Sequence, residues 1–175
     1  MMNKGCQTPS NWTPSGELPI MGSETLMSPK QHGTSQTPVQ DKLLYGCDQK
    51  VADQICNFNR HYAESSGYFL QTNWLQEVQD QETATTYYDS NSGKPLFMAP
   101  QNRSFEAFLQ ESISHGWPSF RDDEVNWQYV RVLPDGECVS IDGTHLGHNI
   151  PDPKGNRYCI NLVSIAGHPL NNGAV

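Results

Sequence analysis

The chain has 175 residues, a formal net charge of −8 and only 35% hydrophobic residues. The length suits one ordinary domain with additional segments, and the acidic balance lacks the clustered Lys and Arg that a phosphate backbone requires, so no nucleic-acid partner is expected. No run of 18 apolar residues and no apolar leader region occur, so a soluble, intracellular, cytoplasmic protein with no membrane partner is expected, organelle targeting by the N-terminal segment being left open.

Residues 1–40 are rich in Ser, Thr, Pro, Gln, Gly and Asn and poor in aliphatic side chains, a composition that buries too little apolar area to offset the entropy of ordering. They are expected to form a disordered tail, Cys6 included. In residues 41–86, read as a helical N-terminal extension, Leu43, Leu44, Val51, Ile55 and Phe58 recur at helical spacing behind Asp41 as a candidate cap, whereas Tyr62 to Glu82 shows no clear period. Tyr87-Tyr88-Asp89, the turn residues Ser92-Gly93-Lys94-Pro95 and then Leu96-Phe97-Met98 predict a short strand on each side of a turn. Phe105, Phe108, Leu109 and Ile113 share one helical face, which Ser104 can cap and Gly116 ends. Tyr129 to Leu133 and Glu137 to Ile141 are strand-like and meet at Pro134-Asp135-Gly136, a hairpin. A last strand is expected from about Arg157 to Ile165. The fold class is therefore α+β: a helical N-terminal part followed by a small, mostly antiparallel β-sheet or barrel over residues 87–170.

Alternation along the last strand sets Tyr158, Ile160 and Leu162 against Arg157, Cys159 and Asn161. On the second face Cys159 is either a small packed hydrophobe beside a wet sheet surface or a reactive thiol among polar groups. His145-Leu146-Gly147-His148 would put its imidazoles on opposite faces of a regular strand, and they converge only if the chain bends, which Gly143 and Gly147 permit. Converging histidines near a thiol can stabilise a thiolate, supply protons or bind a metal. In Gly116-Trp117-Pro118-Ser119-Phe120 the two aromatics are either one wall of an apolar pocket or core residues. The five cysteines, at 6, 47, 56, 138 and 159, are odd in number and include no CxxC pair, against both a disulfide framework and a four-cysteine zinc site.

Gly116-Trp117-Pro118-Ser119-Phe120, then His145-Leu146-Gly147-His148, then Arg157-Tyr158-Cys159-Ile160-Asn161, in that order and at about this spacing, resemble the three signature segments of the B-type methionine sulfoxide reductases. Ser92-Gly93-Lys94-Pro95-Leu96-Phe97 is similar to the family's lead-in to its first core strand, and the likeness covers about Tyr87 to Ile165, less than half the chain. The resemblance implies thiol-dependent reduction of methionine R-sulfoxide, free or in protein, through a sulfenic acid on Cys159. It implies Cys159 as nucleophile with His145, His148 and Asn161 around it, and Trp117, Phe120, Asp152 and Arg157 as substrate-binding groups. Zinc-bearing relatives carry two CxxC pairs that this chain lacks, so neither structural zinc nor another cofactor is expected. Some relatives place a resolving cysteine where this chain has His115. Cys138 is then the candidate resolving thiol, with Cys47, Cys56 or an external, thioredoxin-like reductant as alternatives. Asn149-Ile150 replaces the family's usual Val-Phe, and Phe105 to Ser114 is an insertion. Two other readings remain open: a non-catalytic binding module on the same scaffold, and a mononuclear metal site of His145, His148 and Cys159.

Overall fold

The computed structural model describes residues 7–79 and 83–170, and Cys6 lies outside the described residues. Two antiparallel sheets form the centre. In the smaller, β1 (Thr85–Tyr88) pairs with β2 (Pro95–Ala99). The turn between them is built as the sequence demands: Gly93 takes a left-handed φ of +78°, and the buried Asp89 carboxylate accepts the Asn91 N–H at 2.8 Å. Asp89 also accepts the Thr144 hydroxyl at 2.9 Å, tying this hairpin to the larger sheet.

That larger sheet contains β3 (Ser119–Phe120), β4 (Val130–Val132), β5 (Glu137–Ser140), β6 (His145–Asn149) and β7 (Tyr158–Ile160), in the spatial order β3-β7-β6-β5-β4. The Pro134-Asp135-Gly136 hairpin forms between β4 and β5, with Gly136 at φ +97°. The last strand is shorter than expected. After Ile160 the chain turns into a 3-10 segment, Leu162–Ile165, whose first turn is held by Glu64: its carboxylate accepts the Leu162 and Val163 N–H groups at 2.9 and 3.1 Å.

Among the described residues three short α-helices lie before and beside the sheet. α1 (Gln49–Asp53) starts later than the apolar spacing suggests, because the capping carboxylate is Asp48, accepting from Val51 N at 2.9 Å, and not Asp41. It runs on into a π-helical turn, Gln54–Phe58. α2 (Trp74–Gln79) falls in the stretch without a period. α3 (Phe105–His115) matches its sequence signals: Ser104 accepts the Ala107 N–H at 3.0 Å, and Gly116 ends the helix at φ +91°. Ile113, expected on the buried face, is 49% exposed, while Phe108 is fully buried. Phe108, Phe120, Phe97, Tyr87 and Trp74 form a contiguous set of ring contacts at the centre, with Phe97 and Phe120 stacked at 4.4 Å.

Over residues 7–40 the expectation of a disordered N-terminal tail is corrected. Residues 7–40 run across the domain with few helical turns, and their scarce apolar side chains act as anchors: Trp12, Met27 and Val39 are 5%, 3% and 2% exposed. Backbone bonds supply what composition does not. Gly22 N donates to Val132 O and Val132 N donates to Ile20 O, so the segment lies along the outer edge of β4. No helix among the described residues is long and apolar enough to cross a membrane.

Candidate active site

β7 lies between β3 and β6, and its central residue is Cys159, opposite Ser119 on one side and His148 on the other. Pairing in register puts Glu137, His148, Cys159 and Ser119 on one face. The opposite face carries Cys138, Tyr158, Ile160 and Phe120, all in the main core. His145 joins the first face through a bulge: Cys138 pairs with Gly147 but Val139 pairs with His145, so Leu146 is an extra residue in β6. The bend that the His-Leu-Gly-His spacing needs is this bulge, with Leu146 turned into the core.

Gly147 is required for closeness, not for conformation. A Cβ there would stand 2.0 Å from the Cys159 carbonyl oxygen. The gap it leaves lets β6 and β7 pair tightly beneath a pocket of about 160 Å³, lined by Arg60, Tyr62, Ala63, Trp117, His145, Gly147, His148, Ile150, Cys159 and Asn161.

Cys159 is 9% exposed. Burial pushes its thiol above the ordinary range, opposed by the Arg157 guanidinium, whose Nη1 donates to Sγ at 2.7 Å, and by the Ser119 hydroxyl 3.9 Å away. The group therefore rests as a thiol beside a fixed positive charge that favours its thiolate. Trp117 is held by its indole N–H, which donates to the Glu64 carbonyl at 3.0 Å. Asn161 is fixed at both ends of its amide: Oδ1 accepts the Glu64 N–H at 2.8 Å, and Nδ2 donates to the Leu146 carbonyl at 3.1 Å. The buried His145 meets the Glu137 carboxylate through Nδ1 at 2.7 Å. Burial pushes Glu137 up, but hydrogen bonds from His145 and Arg60 outweigh it and hold the carboxyl below its usual range. His148 is exposed at the pocket rim, its Nε2 3.2 Å from the Asp135 carbonyl.

The structure thus brings together six of the sequence-derived site residues, Cys159, His145, His148, Asn161, Trp117 and Arg157, and separates three others. Phe120 does not line the pocket; β3 turns it to the core side, against Phe97. Asp152 is engaged elsewhere, accepting from Arg121 Nη1 and Nη2 at 3.0 and 2.8 Å, and this guanidinium holds its carboxyl well below the usual range. It reaches only to 3.8 Å from Arg157 Nε. Cys138 is fully buried on the far face of the sheet from Cys159, and burial pushes its thiol up, so it cannot meet Cys159 while the sheet is paired. Cys47 and Cys56 are likewise buried, with thiols pushed up by burial. Among the described residues no three His, Cys, Asp or Glu side chains form a group that could hold a metal ion.

Three charged residues escaped the sequence reading. Arg60 and Glu64 fall in or beside the stretch without a period, and nothing in their spacing marks them. Glu137 stands on the predicted hairpin, but its relation to His145 depends on the bulge.

No family model matches the chain. Several curated proteins named peptide methionine sulfoxide reductase MsrB do. The protein from Leifsonia xyli subsp. xyli is 33% identical over 109 residues, covering 55% of this chain and 71% of its own length. That from Hahella chejuensis is 30% identical over 138 residues, 73% of this chain and 91% of its own. A third, from Methanosarcina mazei, is 33% identical over 90 residues, 45% of this chain and 64% of its own.

Proposed function

The chain belongs to the MsrB family of peptide methionine sulfoxide reductases, and on that premise we propose that it reduces the R epimer of methionine sulfoxide at Cys159. The observation that carries this reading is the Cys159 thiol, bonded by Arg157 at 2.7 Å, at the wall of a pocket that also presents Trp117, His145 and Asn161.

In the proposed reaction the Cys159 sulfur attacks the sulfoxide sulfur while the sulfoxide oxygen is protonated. The oxygen passes to Cys159, leaving a sulfenic acid and the methionine thioether, so the thiol is oxidised as the sulfoxide is reduced. Arg157 lowers the cost of the thiolate, and Trp117 offers an apolar surface to the S-methyl group. His145 supplies the proton, because it is the buried imidazole among the pocket residues. Cys138 faces away from the site, so we assign regeneration to an external dithiol of thioredoxin type. Two thiols reduce the sulfenic acid to Cys159 thiol and water and leave as a disulfide. Structural zinc plays no part in the proposal, since the paired cysteines of zinc-bearing relatives are absent from the sequence.

The test is reduction of separated R and S epimers of a methionine-sulfoxide peptide, with dithiothreitol as reductant and a metal chelator present. Turnover of the R epimer alone, abolished by Cys159→Ser, is expected. After one turnover without reductant, mass spectrometry should find a Cys159 sulfenic acid with Cys138 still free. Equal or absent turnover of both epimers would sink the activity, loss of turnover with the chelator would overturn the metal-free reading, and a Cys138–Cys159 disulfide would overturn the regeneration route.

A further inference from the structure

Glu137 is a carboxylate at 3% exposure, at the first position of β5. A buried charge is tolerated only when donors meet its oxygens. Here they do: Oε2 faces His145 Nδ1 at 2.7 Å, and Oε1 faces Arg60 Nη2 at 2.6 Å. Arg60 Nε reaches both oxygens, at 3.1 and 3.2 Å. A second carboxylate, Glu24, meets the same Nη2 at 2.7 Å, bracing the guanidinium from the N-terminal segment. An ionised carboxylate has lone pairs and no hydrogen, so the 2.7 Å contact requires the hydrogen to sit on Nδ1 of His145. The other ring nitrogen, Nε2, belongs to a side chain that lines the pocket.

From this geometry we propose that Glu137, braced by Arg60, is the positioning residue of the site: it fixes His145 as the Nδ1–H tautomer and so makes Nε2 the atom that exchanges a proton with the reacting groups. The proposal rests on the reading of His145 as the proton donor and adds where its proton comes from. In the neutral Nδ1–H tautomer, Nε2 first accepts the proton that the Cys159 thiol sheds on attacking sulfur. It then returns that proton to the sulfoxide oxygen, and the imidazole ends neutral as it began. The imidazolium formed in between is stabilised by the Glu137 carboxylate. The Leu146 bulge is what permits the arrangement, since without the extra residue His145 would fall on the opposite face from Glu137.

Glu137→Gln tests it. The amide oxygen can still accept from Arg60 while its NH2 group faces His145, which forces Nδ1 to become an acceptor and moves the hydrogen to Nε2. Nitrogen NMR of histidine-labelled protein, with the His145 signal assigned by its loss in a His145→Gln variant, should show Nδ1–H in the wild type and Nε2–H in Glu137→Gln. The turnover number should fall by about 100-fold or more with KM changed only a few-fold. An Nε2–H tautomer in the wild type would overturn the proposal, even if Glu137→Gln fails to fold. So would an unchanged tautomer or an undiminished turnover number in the variant. The spectrum is read without turnover, so a protein inactive on both epimers would defeat the functional reading while leaving this assignment standing on its own measurement.

Discussion

Glu64 links three parts of the pocket through different atoms. Its N–H holds Asn161, its carbonyl holds Trp117, and its carboxylate holds the turn that follows Cys159. Burial raises its pKa to about 7, with the Leu162 and Val163 amides pulling the other way. For a carboxyl raised in the folded protein above its unfolded value near 4.3, the stabilisation is complete below that lower value and is lost as pH rises through about 7. The wild type should therefore lose stability relative to a Glu64→Gln variant between about pH 4.5 and 7, by up to about 1.4 kcal/mol per pH unit, with no further loss from this group above that window. Urea denaturation of both proteins across pH 5 to 8 measures it. A difference between them that does not change with pH would show that Glu64 titrates normally.

The β6–β7 pair is where local sequence and tertiary packing depend most on each other. Gly147→Ala would set a methyl 2.0 Å from the Cys159 carbonyl oxygen and 2.9 Å from Ile160 Cα, both backbone atoms that cannot turn aside. The strands must separate, and Cys159 must shift relative to His145 and Trp117. A loss of roughly 1–3 kcal/mol in stability is expected, with at least about a tenfold loss in kcat/KM from the misplaced sulfur. A variant as stable and as active as the wild type would rule this out. Much of this element was legible beforehand: turn residues marked both hairpins, and alternation put Arg157 beside Cys159 on the face that the structure assigns to the pocket. What could not be read was the bulge at Leu146, because the sequence permits a bend without saying where the extra residue goes. The same gap hid Glu137. Phe120 was misplaced for a related reason: an aromatic in a Gly-Trp-Pro-Ser-Phe loop fits a pocket wall or a core equally well, and only the pairing Phe120 with Tyr158 decides for the core.

The N-terminal segment was misread because composition measures the average and its order rests on a few anchors. Periodicity cannot detect Trp12, Met27 and Val39, which are isolated along the chain, nor backbone bonds to strands a hundred residues away. Met27 and Leu26 close a second small cluster over Leu133 and Val139. The backbone from Ile20 to Gly22 covers the outer edge of β4, which is an end strand of its sheet and otherwise presents open N–H and C=O groups. The Thr34 hydroxyl donates to the Gly143 carbonyl at 2.7 Å, at a position where a Gly143 Cβ would meet Thr34 O at 1.8 Å, so the segment also abuts the turn leading into β6. A chain beginning at Asp41 should therefore lose more than a tail. Baring the surface under Met27 alone removes roughly 1.5–3 kcal/mol, and with the bonds to β4 also gone the melting temperature should drop by about 10 °C or more. The uncovered β4 edge should also promote self-association, and Arg60, deprived of Glu24, should hold Glu137 less firmly, reducing turnover beyond what partial unfolding explains. Thermal melting, light scattering and turnover of the shortened protein check these three consequences together. A truncated chain that melts at the wild-type temperature and scatters no more light than the wild type would return the segment to the disordered tail that its composition suggests.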